Sequence, residues 1–313
     1  MSIPAYADLP RLDGLDLPHA WDVWGREDNL GSLNRLDGPA VLRGLAAAKT
    51  GERLSLSLPL DVPGPPLFGR GQLTQQLVQQ DRNSWDDRLD VFHPQASSQW
   101  DGLGHVRCRE HGFWTGITAD PVDHGDRLGI EHWADGIIGR GVLLDVLGHR
   151  RISGAHYDPL AGEAVTADEL ATVAADQGVD IEPGDILCVR LGWVDAYRAL
   201  DAHGREAIAD GGALPRHSGL AGSEEMAELL WEWGIAAIVA DNPSVEVSPG
   251  DPSVGSLHRR LLPLLGIVIG ELFDLDDLAA ACTADDRWTF AFNAVPLRMP
   301  GGLGSPANAV AIR

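Results

Sequence analysis

The sequence has 313 residues, of which 44% are hydrophobic and 22% charged, proportions typical of a globular protein with a sizeable core. Its 24 basic and 46 acidic residues give a net charge of −22, which argues against a nucleic-acid partner and against binding to an anionic membrane surface. Three widely spaced cysteines, the lack of a signal-peptide pattern and the lack of a long apolar run predict a cytoplasmic protein.

The first part of the chain predicts an irregular arm, then a helix and a strand. Residues 1–35 are rich in Pro, Asp and Leu without a clean period, so we expect an arm packed on the surface. A helix is predicted between Asp37, a candidate N-cap, and Gly51, a stop signal. Alternating apolar residues over 53–60 predict a strand with one buried face, whereas 72–83 fit either a strand or a short helix.

Helical patterns and apolar runs alternate through the rest of the chain, which predicts an α/β fold in one continuous domain. The predicted buried strands lie within 141–148, 181–193, 235–242 and 267–273. The predicted helices lie within 166–179, 222–234 and 256–266. Residues 201–223 are Gly- and Ala-rich and predict a loop or lid, and 286–312 predict a hairpin or strand pair.

The first candidate site is the stretch QWDGLGHVRCREHGFWTG, which contains Asp101, His105 and His111 within eleven positions. Carboxylate and imidazole are common ligands of divalent metal ions. In an extended strand Asp101 and His105 would lie roughly 13 Å apart, so shared coordination needs a bend, which the two intervening glycines permit. The stretch fits a ligand-bearing turn and, equally, a polar aromatic-lined loop without chemistry.

The second candidate site joins His258 to Glu271. A helix from His258 rises about 10 Å, and a strand ending at Glu271 returns about 13 Å, so an antiparallel return would place the two side chains together. A Glu within the apolar run IVIGELF must be solvated, paired or bound to metal. The alternative is that Glu271 pairs with Arg259 or Arg260.

Asp241 and Glu246 follow the end of another apolar strand, where open α/β sheets place ligand contacts. Asp241 could also cap the turn at Asn242 and Pro243.

Several motifs, taken in order, carry a family resemblance. These are WGREDNLGSLN, SLSLPL, WDGLGH, GDILCVRLGW, GIAAIVADNPSVEV, SLHRRLLPLLGIVIGELFDL and GSPANAVAIR. Together they resemble the cyclase family of metal-dependent hydrolases, which includes bacterial kynurenine formamidase and isatin hydrolase. The resemblance implies an arm over 1–35 and, over 36–313, a single domain of the swivelling β/β/α type with a mixed, barrel-like sheet flanked by helices. It also implies a homodimer or homotetramer.

The family's metal-binding signature is His-x-Gly-Thr-His-x-Asp, followed four residues later by another His. Its second and last His correspond to His105 and His111, and its first His falls on Asp101, which can also ligate a metal. Its Asp falls on Arg107, whose charge would repel a second ion, so we expect one metal ion at most. The later ligands resemble His258 and Glu271, which lie thirteen residues apart instead of twelve.

The resemblance implies a hydrolase that cleaves an amide or lactone of a small aromatic or cyclic acid through a metal-activated water. One Zn²⁺ or Mn²⁺ would be held by Asp101, His105, His258 and Glu271, and His111 would transfer protons. The expected contacts to the small-molecule substrate are Trp100, Arg107, Trp114, Trp193 and His217.

Two other functions remain open from the sequence. A cyclase, dehydratase or isomerase could use the same metal to stabilise an enolate. A metal-free protein that binds a small molecule could instead place Arg107 where the cation would lie. Arg107 fits an anion contact, and it fits a salt bridge to Glu110 or Asp101 equally well.

Overall fold

The computed structural model describes residues 3–209 and 214–313, and its thirteen strands lie in one large and two small sheets. The strands are β1 (Arg53–Ser55), β2 (Thr74–Gln79), β3 (Trp85–Asp90), β4 (Gln99–Asp101), β5 (Ile137–Asp145), β6 (Ala164–Val165), β7 (Ile186–Arg190), β8 (Gly219–Leu220), β9 (Ala237–Ala240), β10 (Val268–Glu271), β11 (Thr289–Ala294), β12 (Gly304–Pro306) and β13 (Ala309–Ile312).

Eight α-helices surround these strands in the described part of the chain. They are α1 (Gly38–Ala46), α2 (Val146–Ser153), α3 (Ala167–Asp176), α4 (Trp193–Ala199), α5 (Ala202–Ala209), α6 (Glu224–Glu232), α7 (Leu257–Arg260) and α8 (Asp276–Asp285). A π-helix, Leu261–Leu265, continues α7. Short 3₁₀-helices lie at Tyr6–Asp8, Gly31–Arg35, Arg109–His111, Trp114–Gly116, Pro121–Asp123 and Ile130–Trp133.

The large sheet is mixed and strongly curled, in the strand order β1-β13-β11-β5-β7-β9-β10-β4-β12. Its centre, β5 to β10, is parallel, and antiparallel strands extend it on both sides. The residues of β7, β9 and β10 are all buried, because helices cover both faces of a parallel sheet. The predicted α/β fold with a mixed, barrel-like sheet is therefore confirmed. No helix of the described residues has the length and apolarity needed to cross a bilayer.

Several local predictions are confirmed at the level of single hydrogen bonds. The Asp37 carboxylate accepts from the Ala40 amide at 2.9 Å and starts α1. Thr166 and Ser223 cap α3 and α6 in the same way. The sequence of residues 72–83 fitted either a strand or a short helix. The structure shows the strand β2 there, paired with β3 in a separate two-stranded sheet.

Other boundaries differ from the prediction. The strand predicted over 141–148 ends at Asp145, because the Asp145 carboxylate accepts from the Gly148 amide at 2.9 Å and begins α2. The strand predicted over 53–60 leaves the sheet after Ser55. Residues 201–223 are not one continuous loop, since they contain α5 and β8; positions 210–213 of the predicted lid lie outside the described residues.

The N-terminal arm is tied to the π-helix. The Trp21 indole donates to the Pro263 carbonyl at 2.6 Å, and the Ala20 amide donates to the Leu264 carbonyl at 2.8 Å. The arm therefore packs directly over the segment that connects His258 to Glu271.

Candidate metal centre

Two acidic residues approach each other across neighbouring strands. Antiparallel pairing of β10 with β4 sets Ile269 opposite Asp101 and Glu271 opposite Gln99. Asp101 is 1% exposed and Glu271 is 3% exposed, although carboxylates are rarely buried without compensation. The strand register thus creates a buried negative site at the ends of β4 and β10.

His258 completes this site. Its Nε2 atom lies 3.0 Å from Oε1 of Glu271 and 3.6 Å from Oδ2 of Asp101. One ligand atom from each of these three residues lies within 4.8 Å of the other two. The predicted antiparallel return from His258 to Glu271 is therefore confirmed. Glu271 pairs with His258 and not with Arg260, whose Nε and Nη2 donate to the backbone of other loops.

The π-helix explains the spacing of these two residues. A π-turn holds one residue more than an α-turn, and single π-turns occur frequently at functional sites. Leu261–Leu265 lies between His258 and Glu271, where the sequence has one residue more than the related pattern. All five residues are buried, and Gly266 ends the turn with a left-handed conformation, φ 66°. The chain therefore passes from His258 to Glu271 through a buried π-turn.

Glu246 fixes the orientation of His258. Its carboxylate lies 3.3 Å from Nδ1 of His258 and accepts from the His258 amide at 3.1 Å. It also accepts from the Ser256 hydroxyl at 3.0 Å and from the Leu257 amide. A carboxylate on one ring nitrogen directs the other ring nitrogen toward a metal, which is the usual arrangement behind a ligating imidazole. Nε2 of His258 accordingly faces Asp101 and Glu271.

Amide groups satisfy further lone pairs of the two carboxylates. Nε2 of Gln99 donates to Oε2 of Glu271 at 2.6 Å, and the Val245 amide donates to Oε1 at 3.2 Å. The Gln95 side chain donates to Oδ1 of Asp101. These contacts fix both carboxylates in the orientation that faces His258.

His105 lies beside the same centre because the chain turns sharply after Asp101. The His105 amide donates to the Gly102 carbonyl at 2.9 Å, which brings Nε2 of His105 to 3.7 Å from Oδ1 of Asp101. A Cβ at position 102 would lie 2.9 Å from the Leu303 carbonyl oxygen, so the turn needs glycine there. The predicted bend is therefore present.

The protonation equilibria reflect this crowding. Burial raises the pKa of Asp101, but the imidazoles of His105 and His258 outweigh burial and lower it to about 2. Burial and the charge of Asp101 raise the pKa of Glu271. Burial lowers the pKa of His258, yet the carboxylates, Glu271 foremost, hold it well above its ordinary value. Two buried carboxylates and imidazole nitrogens form a donor set that suits a divalent cation such as Zn²⁺ or Mn²⁺.

Arg70 is a cation on which this centre acts, and the sequence pattern did not reveal it. Arg70 is half-buried in the loop before β2, and the charges of Asp101 and Glu271 both act on its guanidinium, although burial still lowers its pKa. Its guanidinium carbon lies 5.0 Å from the centre of the Phe68 ring. In the sequence, Arg70 is marked only by its place in a Pro- and Gly-rich loop, 31 residues before Asp101.

Arg107 lies elsewhere. Its Nη1 is 3.6 Å from the Asp120 carboxylate, and its Nε donates to the Arg109 carbonyl at 2.9 Å. The structure therefore gives Arg107 a salt bridge to Asp120, not to Glu110 or Asp101, and does not place it where a cation would bind. Neither of these contacts supports the expected role of Arg107 in binding a substrate anion.

The two other predicted histidines lie apart from the three ligands. Nε2 of His111 lies 3.7 Å from the Glu110 carboxylate, and His111 is not part of the ligand cluster found among the described residues. His217 is fully buried, with Nδ1 3.1 Å from the Ser218 carbonyl and Nε2 3.3 Å from the Ser244 hydroxyl. Burial lowers the pKa of His217 to about 4.

The three predicted tryptophans are core residues. Trp100, Trp114 and Trp193 are each 0% exposed. Trp100 packs edge-on against Phe273, and Trp193 stacks on Tyr197 with ring centres 4.8 Å apart. Because their rings are covered by protein, these residues present no free ring face to a substrate.

Asp241 holds the turn that leads into α4 instead of the turn at Asn242 and Pro243. Its carboxylate accepts from the Leu191 and Gly192 amides, at 2.6 and 2.7 Å, just before α4. Full burial raises its pKa to about 7.

The family described as "Putative cyclase" matches residues 54–247, more than half of the chain, and the protein belongs to this family. A solved structure of a novel cyclase is 29% identical, with a TM-score of 0.81, and covers 94% of this chain and 99% of its own. No curated protein matches the sequence.

More distant solved structures share the fold. Isatin hydrolase A from Labrenzia aggregata, bound to benzyl benzoate, has a TM-score of 0.60 at 17% identity over 90% of this chain and 98% of that one. A predicted metal-dependent hydrolase from Bacillus stearothermophilus has a TM-score of 0.51 at 17% identity, and the match covers 83% of this chain and 97% of that one. Membership of this family supports an enzymatic function.

Proposed function

We propose that this protein is a metal-dependent hydrolase that cleaves an amide or lactone bond of a small aromatic or cyclic acid. The observation that carries the proposal is the convergence of Asp101, His258 and Glu271, whose ligand atoms lie within 4.8 Å of one another. With His105 beside them, these residues would hold one Zn²⁺ or Mn²⁺. When bound, such an ion supplies Lewis-acid polarisation of a carbonyl and of water.

The protein's own groups prepare the site for this chemistry. Glu246 orients His258, and Gln99 and Gln95 orient the two carboxylates, so the donor atoms need little rearrangement. His105 is the imidazole at the more open side of the cluster, with 29% of its side chain exposed. That exposure leaves a direction from which a substrate can approach.

Arg70 would hold the negative charge of the substrate. The charges of Asp101 and Glu271 act on its guanidinium, and such a group can bind an acid group or stabilise a developing oxyanion. The Arg70→Gln variant should lose at least about tenfold in kcat/KM while keeping its metal content. Arg107→Gln is the matched control, because its side chain pairs with Asp120. Equal losses in both variants would remove this role from Arg70.

His111 was predicted to transfer protons, and that role stays a prediction. The pH dependence of kcat in His111→Asn tests it, since removal of a proton carrier should lower kcat and abolish one limb of the profile.

Metal analysis is the decisive experiment. We expect about one equivalent of Zn or Mn per chain in protein purified without chelator or immobilised nickel. His258→Ala should lose this metal, whereas His156→Ala, at an exposed position, should retain it. The absence of metal after incubation with Zn²⁺ and Mn²⁺ would reject the proposal.

Substrate screening would then cover formamides, cyclic amides and lactones. Turnover in H₂¹⁸O distinguishes hydrolysis from the alternative cyclase, dehydratase or isomerase reaction, because only hydrolysis incorporates solvent oxygen into the product. Homodimeric or homotetrameric assembly is a separate proposal, which light scattering after gel filtration tests.

A further inference from the structure

A cavity lies beside the candidate metal centre, on the Nδ1 side of His258. Its volume is about 550 Å³, within the range of small-molecule sites. The segment from Ser244 to Ser248 forms one wall, the start of α7 forms another, and Cys108 and Arg109 close it from the turn after β4. Glu246 lines this cavity and also contacts His258.

Three arginines line the cavity: Arg109, Arg259 and Arg260. Within the described residues, Arg109 and Arg259 have no carboxylate within 4.0 Å of their guanidinium groups and donate no side-chain hydrogen bond. Arg260 is anchored by the Gly222 and Val254 carbonyls, at 3.1 Å each, and its Nη1 lies 4.0 Å from the Glu224 carboxylate. The charges of all three also act on the Cys108 thiol, whose pKa is raised by burial. They therefore surround one space.

The acidic groups of the cavity are already engaged. Glu246 accepts from Ser256 and from the amides of Leu257 and His258. The Asp251 carboxylate accepts from the amide and the hydroxyl of Ser253. Arg109 and Arg259 are exposed to solvent at the mouth of the cavity, and among the described residues no carboxylate holds them, so both guanidinium groups are accessible to an anionic ligand.

We infer that this cavity binds an organic anion, with its carboxylate or phosphate group on Arg109 and Arg259. Leu15, Leu17 and Val254 line the same cavity and would contact the apolar body of the ligand. Planar guanidinium groups bind carboxylate and phosphate through paired hydrogen bonds. The inference goes beyond the proposed hydrolase, because it needs neither a bound metal nor turnover.

Isothermal titration calorimetry with benzoate, phenyl phosphate and uncharged benzamide tests this site. We expect benzoate or phenyl phosphate to bind and benzamide not to bind. Arg259→Gln and Arg109→Gln should each weaken that binding at least about tenfold. Arg151→Gln, on the exposed face of α2, is the control and should bind like the wild type. Whichever of the two anions binds more tightly identifies the acid group.

Repeating the titration with excess EDTA separates this site from the metal centre. Binding that persists in EDTA and is lost in Arg259→Gln supports the inference, even if the protein holds no metal. Binding that disappears in EDTA would place the anion on the metal and overturn it. Unchanged affinity in both arginine variants, or no binding of either anion to the wild type, would also overturn it. Metal content, measured on the same samples, reports independently on the proposed hydrolase.

Discussion

At the scale of single residues, the centre depends on a carboxylate that does not itself face the ligand cluster. Glu246 contacts Nδ1 of His258 and also the amide that begins α7. The sequence indicated Glu246 only by its place after an apolar strand, where Asp241 was an equal candidate. The structure separates them: Asp241 binds two backbone amides in the turn before α4, whereas Glu246 orients the imidazole of His258.

Glu246→Gln tests that role. The amide keeps the size of the side chain but loses the charge that orients and polarises His258, so metal affinity should fall about 10- to 100-fold. Competition with a chelating dye measures the affinity. Asp251→Asn, in the following turn and without contact to His258, should bind metal as the wild type does. Unchanged affinity in Glu246→Gln would show that Glu246 only caps the helix.

The lowered pKa of the buried His217 predicts that the free energy of unfolding depends on pH. Its pKa is lowered to about 4 in the folded protein and is about 6.5 when unfolded, so the unfolded state binds the proton more tightly. Its contribution to stability is therefore fully present above pH 6.5 and is lost as the pH falls toward 4. At pH 5 the loss is about 2 kcal/mol relative to pH 7.5.

Urea unfolding at pH 7.5 and pH 5 measures this loss. His217→Asn should show a smaller decrease in unfolding free energy between the two pH values than the wild type, by about that amount. His156→Asn, at an exposed position, serves as the control and should follow the wild type. Parallel curves for wild type and His217→Asn would contradict the prediction.

At the scale of elements, the sequence correctly predicted the helix starts that are set by hydrogen bonds within a few residues. Asp37, Thr166 and Ser223 start helices as their positions indicated. The end of β5 was wrong by three residues, because the apolar pattern continues past Asp145 into the buried face of α2. A short apolar run has no period that separates strand from helix, and only the Asp145 cap divides them.

Helix α1 lies so close to β5 that one of its glycines has no room for a side chain. A Cβ at Gly44 would collide with the backbone of Gly139 and Arg140, whereas a Cβ at Gly38 would meet nothing within 4 Å. Gly44→Ala should therefore destabilise the protein by about 1–3 kcal/mol, although alanine favours helices. Gly38→Ala should change stability by less than about 0.5 kcal/mol. If the two variants had equal thermal unfolding temperatures, α1 would have to be able to shift away from the sheet.

At the scale of the whole molecule, element lengths predicted that His258 meets Glu271, but no local pattern could bring Asp101 to them; only the family resemblance implied that. Asp101, His258 and Glu271 were candidates because of their chemistry and spacing. That Asp101 meets Glu271 depends on antiparallel pairing of β4 with β10, between segments about 170 residues apart in sequence. Arg70 was missed for the same reason, since no local pattern places its loop against those strands.

This assembly makes metal binding a property of the whole fold. An ion held by Asp101, His258 and Glu271 would join β4, α7 and β10, so it should bind the folded chain much more tightly than the unfolded chain. At a free metal concentration 100 times Kd, the expected stabilisation is about 2.7 kcal/mol, which raises Tm by roughly 4 °C in a chain of this length. EDTA should reverse the shift.

The acidic surface makes a matched control necessary, because a net charge of −22 can attract cations anywhere. Asp101→Asn should lose the Tm shift, since it removes one of the two buried carboxylates. Asp120→Asn removes an equal charge from an exposed position and should keep the shift. If Asp101→Asn kept the shift at the same metal concentration, the stabilising ion would have to lie on the surface, and the three buried side chains would form a charge network without metal.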